Sequence, residues 1–391
     1  MKNFIHVVFA GGGTGGHLFP GLAVAQQLAA QIRGMRITFA GSGKDFERRH
    51  VTAAGFEYLA LPCRPLPRGA REALSFVVEN FAGYLAARRF LADEQVDTVV
   101  GLGGYASVPM GRAASRHRVP LVLLEQNALP GRANRWLARS ASLVCTSFPQ
   151  TEVLLAGRCA VRLTGNPVRR GASSQLANLR QANDGIGTPG KLKTCPTLLV
   201  LGGSGGARTL NENAPRTFHK VRNLLDGWQI IHQTGEAGLA ATRELYRKFA
   251  LAATVEPFLP DLPQLLTAAD AVVCRAGGTT LAELAVAGVP AVLVPYSQAK
   301  DDHQRCNAEV FVAQGAATLV DEREITGRLD DRLAEVVATL VRDEGLRISM
   351  SAAMLDLARP HAAADVAGLV WSLASSRARR DGRSPRVIDA A

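Results

Sequence analysis

A strand, a glycine-rich loop and a helix follow one another twice in this chain, and this repeated pattern limits the possible folds more than any other feature. VVFAGGGTGGH (residues 7–17) shows it first, and LLVLGGSGGAR (residues 198–208) repeats it about 190 residues later. Apolar runs without polar alternation follow both openings, which is typical of parallel strands covered by helices on both faces. A chain of 391 residues is also long for one domain. The sequence therefore predicts an α/β fold with two Rossmann-like, doubly wound parallel-sheet domains that face a ligand cleft.

Changes in composition predict where the domains begin and end. A stretch rich in Gly, Ser, Asn and Gln lacks periodicity and precedes the second glycine-rich opening, as expected of a linker. The predicted parts are a first domain (1–170), a linker (171–196), a second domain (197–345), helices that pack back on the first domain (346–376) and a disordered basic tail (377–391).

Overall composition narrows the class of protein. With 47% hydrophobic and 20% charged residues the chain is typical of a folded globular protein. No apolar run reaches the ~18–20 residues of a membrane-spanning helix, and the start MKNFIHVVFAGGG is too short for a secretory signal. Six cysteines lie far apart without a C-x-x-C pair, which favours free thiols in a reducing cytoplasm. The net charge of +11 indicates an anionic partner, whether nucleic acid, lipid or phosphorylated substrate.

The first glycine-rich loop is not typical of the common nucleotide-binding motifs. Gly11, Gly13 and Gly16 satisfy G-x-G-x-x-G, but Gly41 and Ser42 stand where a nicotinamide-binding unit needs an acid. The loop also lacks the lysine of a phosphate-binding P-loop. Two interpretations remain, a tight structural turn or a backbone cradle for an anion at a helix N-terminus.

Polar residues beside these loops are candidates for chemistry. His17 follows the first loop at a helix N-terminus, where an imidazole could act as a general base. In the second half, CRAGGTTLAELAVAGVPAVLVPY (274–296) again runs from strand to small-residue loop to helix. Glu283 lies in that helix, where its carboxylate could bind two sugar hydroxyls or pair with the helix dipole. Gln304 lies at the next strand-to-helix turn, which could also be a solvated loop.

Six motifs, in order and spacing, resemble the family 28 glycosyltransferases of bacterial cell-wall synthesis. They are GGGTGGHLFPGLAVA, GLGGYASVP, EQNALPGRANRWLA, GNPVR, LGGSGGARTLN and CRAGGTTLAE followed by DDHQ. The resemblance spans residues 4 to about 315. It implies a GT-B fold and inverting transfer of N-acetylglucosamine (GlcNAc) from UDP-GlcNAc to the C4 hydroxyl of undecaprenyl-pyrophosphoryl-MurNAc-pentapeptide. It also implies no metal or other cofactor, and the chain contains no Asp-x-Asp motif.

The resemblance also implies roles for individual residues. Thr14, Gly15 and Gly16 would contact the donor near its diphosphate and sugar, Asn127 would bind the donor sugar, and Tyr105 would line the acceptor side. Arg169 and Ser204 would face the diphosphate and nucleotide, Leu259 the uracil, Glu283 the ribose and Gln304 the GlcNAc hydroxyls. The remaining substrate-binding residues are Asn211 and the helix start of Gly278, Thr279, Thr280, Leu281 and Ala282.

Two residues depart from the family pattern. Leu124 replaces the histidine of His-Glu-Gln-Asn, so the base is expected to be His17 or Glu125. Gly205 replaces a glutamine of the second glycine-rich loop, which removes a polar side chain near the nucleotide. Two alternatives remain at this stage: a GT-B transferase or epimerase that uses another sugar nucleotide, and a nucleic-acid-binding module. No nucleic-acid-binding motif accompanies the charge, so we expect no nucleic-acid partner.

A lipid-linked acceptor requires the enzyme to dock at a membrane. We expect docking at the cytoplasmic face of the inner membrane, with other cell-wall synthesis enzymes as further partners. Residues 68–90 place six apolar side chains at near-helical spacing: Leu74, Val77, Val78, Phe81, Tyr84 and Leu85. Arginines flank them at Arg68, Arg71, Arg88 and Arg89, and further basic or aromatic candidates are Arg112, Arg116, Arg132, Arg135, Trp136 and Arg139. Such a stripe can bind an anionic lipid surface or pack on its own sheet.

Overall fold

The apolar runs form the strands of two parallel sheets in the computed structural model, which describes residues 4–32, 34–67, 69–169 and 195–383. The chain divides into two compact units. One contains the residues up to Val168 together with those from His361, and the other contains Arg169–Pro360. The predicted linker, 171–196, lies outside the described residues except for its last two positions, and Arg68 lies outside them too.

The first unit contains a seven-stranded sheet in the order β3-β2-β1-β4-β5-β6-β7, and every neighbouring pair is parallel. Its strands are β1 (Ile5–Gly11), β2 (Met35–Gly41), β3 (Glu57–Ala60), β4 (Thr98–Gly103), β5 (Leu121–Glu125), β6 (Leu143–Thr146) and β7 (Val161–Leu163). Its helices are α1 (Gly15–Gln31), α2 (Asp45–Ala53), α3 (Ala70–Asp93), α4 (Val108–Arg116), α5 (Arg132–Leu137), α6 (Pro149–Leu155) and the last helix of the chain, given below.

The second unit contains a six-stranded parallel sheet in the order β10-β9-β8-β11-β12-β13. Its strands are β8 (Thr197–Leu201), β9 (Gln229–Gln233), β10 (Thr254–Glu256), β11 (Ala271–Cys274), β12 (Ala291–Leu293) and β13 (Ala317–Leu319). Its helices are α7 (Arg208–Lys220), α8 (Leu239–Lys248), α9 (Leu262–Ala268), α10 (Gly278–Ala287), α11 (His303–Ala313), α12 (Leu329–Arg342) and α13 (Glu344–Asp356).

Both glycine-rich loops lie where the strand order of their sheet reverses. In the first sheet β1 lies between β2 and β4, and in the second β8 lies between β9 and β11. Crevices at such switch points, beyond the carboxyl ends of the strands, are where open α/β sheets bind their ligands. The predicted doubly wound architecture is therefore confirmed, and each loop occupies the ligand-binding edge of its sheet.

The cores explain why the strands read as uninterrupted apolar runs. In the first unit Phe9 of β1 stacks on Phe39 of β2 with ring centroids 5.0 Å apart, and both are buried. Helix α1 and the last helix, α14 (Ala362–Arg380), pack against each other over this sheet. Because helices cover both faces of each sheet, neither face of a central strand needs polar residues.

The C-terminal segment differs from the predicted arrangement. Helix α13 lies in the second unit, and only α14 packs on the first unit, where Val366 and Val370 join its core. Helix α14 also continues to Arg380, and Arg383 forms a salt bridge with the buried Asp97. Residues 377–383 are thus not part of a disordered tail, because an apolar face and an ion pair fix them, whereas 384–391 lie outside the described residues.

No helix in the described part of the chain is both long and apolar enough to cross a bilayer.

Candidate active site

The glycine-rich loop of the first unit joins β1 to α1, with Thr14 as the N-cap residue of that helix. Gly15, Gly16 and His17 form the first helical turn, and the His17 N–H donates to the Thr14 carbonyl oxygen at 3.3 Å. Tyr105 lies beside this loop, and the ammonium of Lys44 lies 5.9 Å from its ring centroid. The structure therefore brings the predicted loop residues, His17 and Tyr105 together at one edge of the sheet.

A buried carboxylate from α2 holds this loop. Glu47 accepts hydrogen bonds from the Gly13 backbone N–H, from the Ser42 N–H at 2.8 Å and hydroxyl at 2.7 Å, and from the Tyr58 hydroxyl. Burial and this carboxylate together raise the pKa of Tyr58 well above its usual value. Glu47 was not predicted from the sequence, because the acid of a nicotinamide-binding unit is expected at the end of the second strand. The acid lies six positions later than Gly41 and binds the protein's own loop.

His17 contacts the last residue of β4 and the first residue after β5. Its Nδ1 lies 3.1 Å from Oε1 of Gln126, whose amide nitrogen donates to the Leu102 carbonyl oxygen at 3.1 Å. The ring also lies against the Gly103 backbone, where φ is +92° and an added Cβ would stand 3.1 Å from Nδ1. Gln126 was given no role from the sequence, although it lies between the candidates Glu125 and Asn127.

Glu125, the second candidate base, holds its own loop. Its side chain is 2% exposed. One oxygen accepts from the Asn127 N–H at 3.0 Å and the Asn127 amide at 3.2 Å, and the other from the Gly131 N–H and the Asn134 amide, both at 2.9 Å. A base must approach the substrate proton, but both oxygens of Glu125 already face donors inside the protein. This geometry favours His17 as the base and gives Glu125 a role in placing Asn127.

The glycine-rich loop of the second unit follows β8 and is held by neutral side chains. The Gln233 amide donates to the Gly203 carbonyl oxygen at 2.8 Å and accepts from the Leu259 N–H at 3.3 Å. Gly206 has φ of +75°, and a Cβ there would lie 1.9 Å from the Thr234 carbonyl oxygen, so the turn requires glycine. Leu259 was expected to offer backbone atoms to uracil, but its N–H already has this protein partner.

Asn211 holds Thr234, whose carbonyl oxygen lies against Gly206 of the second loop. It is buried, its amide donates to the Thr234 carbonyl oxygen at 2.9 Å, and its oxygen lies 3.1 Å from Nε2 of His232. Burial lowers the pKa of His232 to about 3, so this imidazole is neutral at physiological pH. Asn211 was expected to contact substrate, and this stays a prediction; its described contacts are with Thr234 and His232. Ser204 lies on the second loop and is half-buried. Open space surrounds Gly205, so the glycine that stands in place of the family's glutamine leaves the turn intact.

Helix α10 begins at the carboxyl end of β11, with Gly277 as its N-cap residue. Its first turn holds Gly278, Thr279 and Thr280. Leu281 is fully buried, so it can offer only backbone atoms, and Ala282 is half-buried. Glu283 is buried and accepts from Nε of Arg169 at 2.8 Å. The structure therefore pairs the two residues that were expected to bind the ribose and the diphosphate.

Gln304 lies in the first turn of α11, and its Oε1 accepts from the Tyr296 N–H at 2.9 Å. Just before it, Asp301 and Asp302 adopt left-handed backbone conformations with φ of 56° and 53°, which are costly for residues other than glycine. Arg323 donates to Asp302 at 3.0 Å and to the buried Asp321 at 2.8 Å. An ion-pair network that the sequence did not indicate thus holds the strained turn beside Gln304.

The six apolar side chains of residues 74–85, here called the α3 stripe, lie on the outside of the first unit. Leu74 is 75% and Phe81 59% exposed; Val77, Val78 and Leu85 are exposed too, and Tyr84 is half-buried. The flanking arginines that the structure describes are also exposed: Arg71, Arg88, Arg89, Arg112, Arg116, Arg132, Arg135 and Arg139. The guanidinium of Arg112 lies 5.6 Å from the ring centroid of the exposed Trp136. Packing on its own sheet is therefore wrong for the five exposed side chains of the stripe, whereas Tyr84 packs against the core of the unit.

Two doubly wound parallel sheets, each with a glycine-rich loop at its switch point, are the architecture of the GT-B fold. The family 28 glycosyltransferase N-terminal domain matches residues 7–146, and the C-terminal domain of the same family matches residues 197–366. The crystal structure of Acinetobacter baumannii MurG superposes with a TM-score of 0.71 at 31% identity, covering 94% of this chain and 99% of that one.

Two relatives share the name UDP-N-acetylglucosamine--N-acetylmuramyl-(pentapeptide) pyrophosphoryl-undecaprenol N-acetylglucosamine transferase. The protein of Chlorobaculum tepidum is 37% identical over 387 residues, which cover 95% of this chain and 100% of the relative. That of Trichlorobacter lovleyi is 35% identical over 370 residues, which cover 90% and 95%. The chain therefore belongs to glycosyltransferase family 28, in its MurG-type branch, and the family predicted from the six motifs is confirmed.

Proposed function

We propose that this enzyme transfers GlcNAc from UDP-GlcNAc to the C4 hydroxyl of undecaprenyl-pyrophosphoryl-MurNAc-pentapeptide, with inversion at the anomeric carbon. The observation that carries the proposal is the pair of glycine-rich loops at the two switch points, with His17 on the first unit and Glu283 and Gln304 on the second. The six ordered motifs and the names of the relatives support the same substrates.

His17 is the proposed base. Its Nε2 takes the proton of the acceptor hydroxyl while the hydroxyl oxygen forms a bond to the anomeric carbon of GlcNAc. The bond from that carbon to the UDP oxygen breaks, and its electron pair leaves with UDP. A single displacement of this kind inverts the anomeric carbon. Thr14, Gly15, Gly16, Tyr105 and Asn127 form the sugar and acceptor surface around His17.

The donor is bound by the second unit. The N–H groups at the start of α10, from Gly278 to Thr280, stabilise the leaving diphosphate through the helix dipole. Glu283 binds the ribose, and Arg169, whose Nε donates to Glu283, faces the phosphates. Gln304 uses its amide N–H groups toward GlcNAc, because its oxygen is occupied by the Tyr296 N–H.

The α3 stripe is the proposed membrane-docking surface. Exposed apolar side chains surrounded by arginines match an interface of anionic headgroups and acyl chains, where each near-surface arginine adds about 1 kcal/mol. Docking there would place the first unit at the cytoplasmic face of the membrane, beside a lipid-linked acceptor.

The test is to incubate the purified protein with UDP-GlcNAc and a short-chain analogue of the lipid-linked acceptor. We expect UDP release that depends on the acceptor, and a disaccharide product with inverted configuration. UDP-sugar turnover without the acceptor would indicate an epimerase instead, and no UDP release above background would contradict the proposal.

A further inference from the structure

The His17 imidazole is held on its Nδ1 side by a buried amide from a distant part of the chain. Gln126 follows β5, is 3% exposed and is 109 residues away in sequence, yet its Oε1 lies 3.1 Å from His17 Nδ1. The catalytic reaction proposed above uses the other ring nitrogen. What Gln126 does to Nδ1 therefore decides which nitrogen is available.

The contacts of Gln126 fix the orientation of its amide group. Its nitrogen lies 3.1 Å from the Leu102 carbonyl oxygen, which can only accept a hydrogen bond. The opposite orientation would place two acceptor oxygens against each other. The amide oxygen must therefore face His17, and the orientation follows from the hydrogen-bond network.

The orientation of the amide in turn fixes the protonation of the ring. An amide oxygen accepts and cannot donate, so His17 Nδ1 must carry the hydrogen. A neutral imidazole has one N–H, and its lone pair is then on Nε2. The Gly103 backbone lies against the same edge of the ring, which keeps Nδ1 close to the amide.

We propose that Gln126 is the positioning residue of this enzyme: it selects the Nδ1–H tautomer of His17 and so presents the Nε2 lone pair to the acceptor hydroxyl. The proposal rests on the proposed function above. When Nε2 takes the proton, the ring becomes an imidazolium, and its bond from Nδ1–H to the Gln126 oxygen becomes charge-assisted and stronger. Gln126 thus supports both the resting base and its protonated form without contacting substrate.

The test combines imidazole ¹⁵N NMR with kinetics. In the wild-type enzyme we expect a protonated Nδ1 and an unprotonated Nε2 at His17. His50 provides a reference in the same spectrum, because its Nδ1 lies 2.8 Å from the Phe46 carbonyl oxygen and must also be protonated. Gln126→Met keeps the side-chain length and removes the acceptor. We expect it to give His17 a mixture of tautomers and to lower kcat about tenfold with KM for UDP-GlcNAc unchanged.

A second variant separates positioning from packing. Gln126→Glu keeps an acceptor at Nδ1 and adds a negative charge, so the Nδ1–H tautomer should persist, although the loss of the hydrogen bond to the Leu102 carbonyl oxygen should lower the stability of the variant. Because the carboxylate stabilises the imidazolium, the acidic limb of the kcat/KM profile should move to higher pH. Gln31→Met, the same change at the exposed end of α1, is the control and should alter neither tautomer nor kcat.

A wild-type spectrum with a protonated Nε2, or a tautomer that Gln126→Met leaves unchanged, would overturn the proposal. The wild-type spectrum needs no substrate, so it is independent of the proposed function. If the tautomer is as expected but the wild-type enzyme transfers no GlcNAc to the acceptor analogue, the proposed function fails and the catalytic part of the proposal fails with it.

Discussion

In the first unit a buried carboxylate holds the glycine-rich loop, whereas in the second unit neutral amides and a buried imidazole do so. Glu47 receives N–H and O–H donors from the first loop and its surroundings. Gln233 does the reverse, since its amide donates to the Gly203 carbonyl oxygen. The Asn211 amide donates to the carbonyl oxygen of Thr234, which lies against Gly206 of the second loop.

The difference bears on which loop can hold a diphosphate. The Glu47 carboxylate already accepts from the Gly13 N–H of the first loop, and its negative charge disfavours a second anion nearby. In the second unit the described hydrogen bonds of Gln233 and Asn211 join them to backbone groups and to the His232 ring, and none of them involves a carboxylate. The two loops thus differ in the charge of the side chains that hold them, and we expect proton transfer at the first and anion binding at the second.

The largest expected effect comes from removing the proposed base. His17→Ala should lower kcat on the order of 10²–10⁴-fold, the usual contribution of a general base. Because His17 lies on the first unit, the affinity for UDP measured by calorimetry should stay unchanged. An unchanged kcat across pH would place the base elsewhere and remove the proposed division of tasks.

The matching variants on the second unit should change donor use. Glu283→Ala and Gln304→Ala each remove hydrogen bonds to a sugar, a loss on the order of 1.5–3 kcal/mol, or roughly 10- to 100-fold in kcat/KM for UDP-GlcNAc. Normal donor kinetics in either variant would show that its assigned role is wrong.

Changing the charge of the side chains that hold the two glycine-rich loops tests the comparison between the two units. Glu47→Gln turns amide hydrogens toward buried donors, and Asn211→Asp places a carboxylate against the Thr234 carbonyl oxygen. Each should lower the free energy of unfolding by about 2–3 kcal/mol in urea titrations. A variant as stable as the wild type would show that its loop tolerates either kind of support.

Acid should weaken the support of the second loop. The pKa of His232 is lowered to about 3 by burial, so the folded protein keeps the ring neutral while the unfolded chain protonates it near pH 6.5. The stabilisation is therefore complete above about pH 6.5 and is lost as the pH falls from there toward 3. Burial lowers the pKa of His6 in the first unit too, so both units contribute. Thermal unfolding between pH 7.5 and 4.5 should show a falling Tm, with a smaller slope in His232→Gln.

The smallest expected effect on stability is at the α3 stripe. Phe81→Ser with Leu85→Ser should leave Tm nearly unchanged, because both side chains are exposed, and should reduce sedimentation with phosphatidylglycerol vesicles. Val153→Ser with Leu154→Ser is the matched control, since those side chains are exposed on α6 outside the stripe. Equal vesicle binding by both double variants would place membrane contact elsewhere.

The sequence by itself determined the features that are written in contiguous residues. Apolar runs, the glycines between strand and helix, and the six ordered motifs predicted the two parallel sheets, the family and the place of His17. These signals can be read along the chain because the apolar character of a strand, the φ angles that glycine allows and the start of a helix are set by neighbouring residues.

Only the tertiary structure showed which side chains hold those features in place. Glu47 reaches Gly13 from 34 residues away, and Gln126 reaches His17 from 109 residues away, so no local pattern connects either pair. The same reason explains the other differences. The fold decides whether the α3 stripe is covered, whether Glu125 faces solvent and whether Arg383 pairs with Asp97, because each depends on which surfaces come together. The periodicity of one helix or loop does not contain that information.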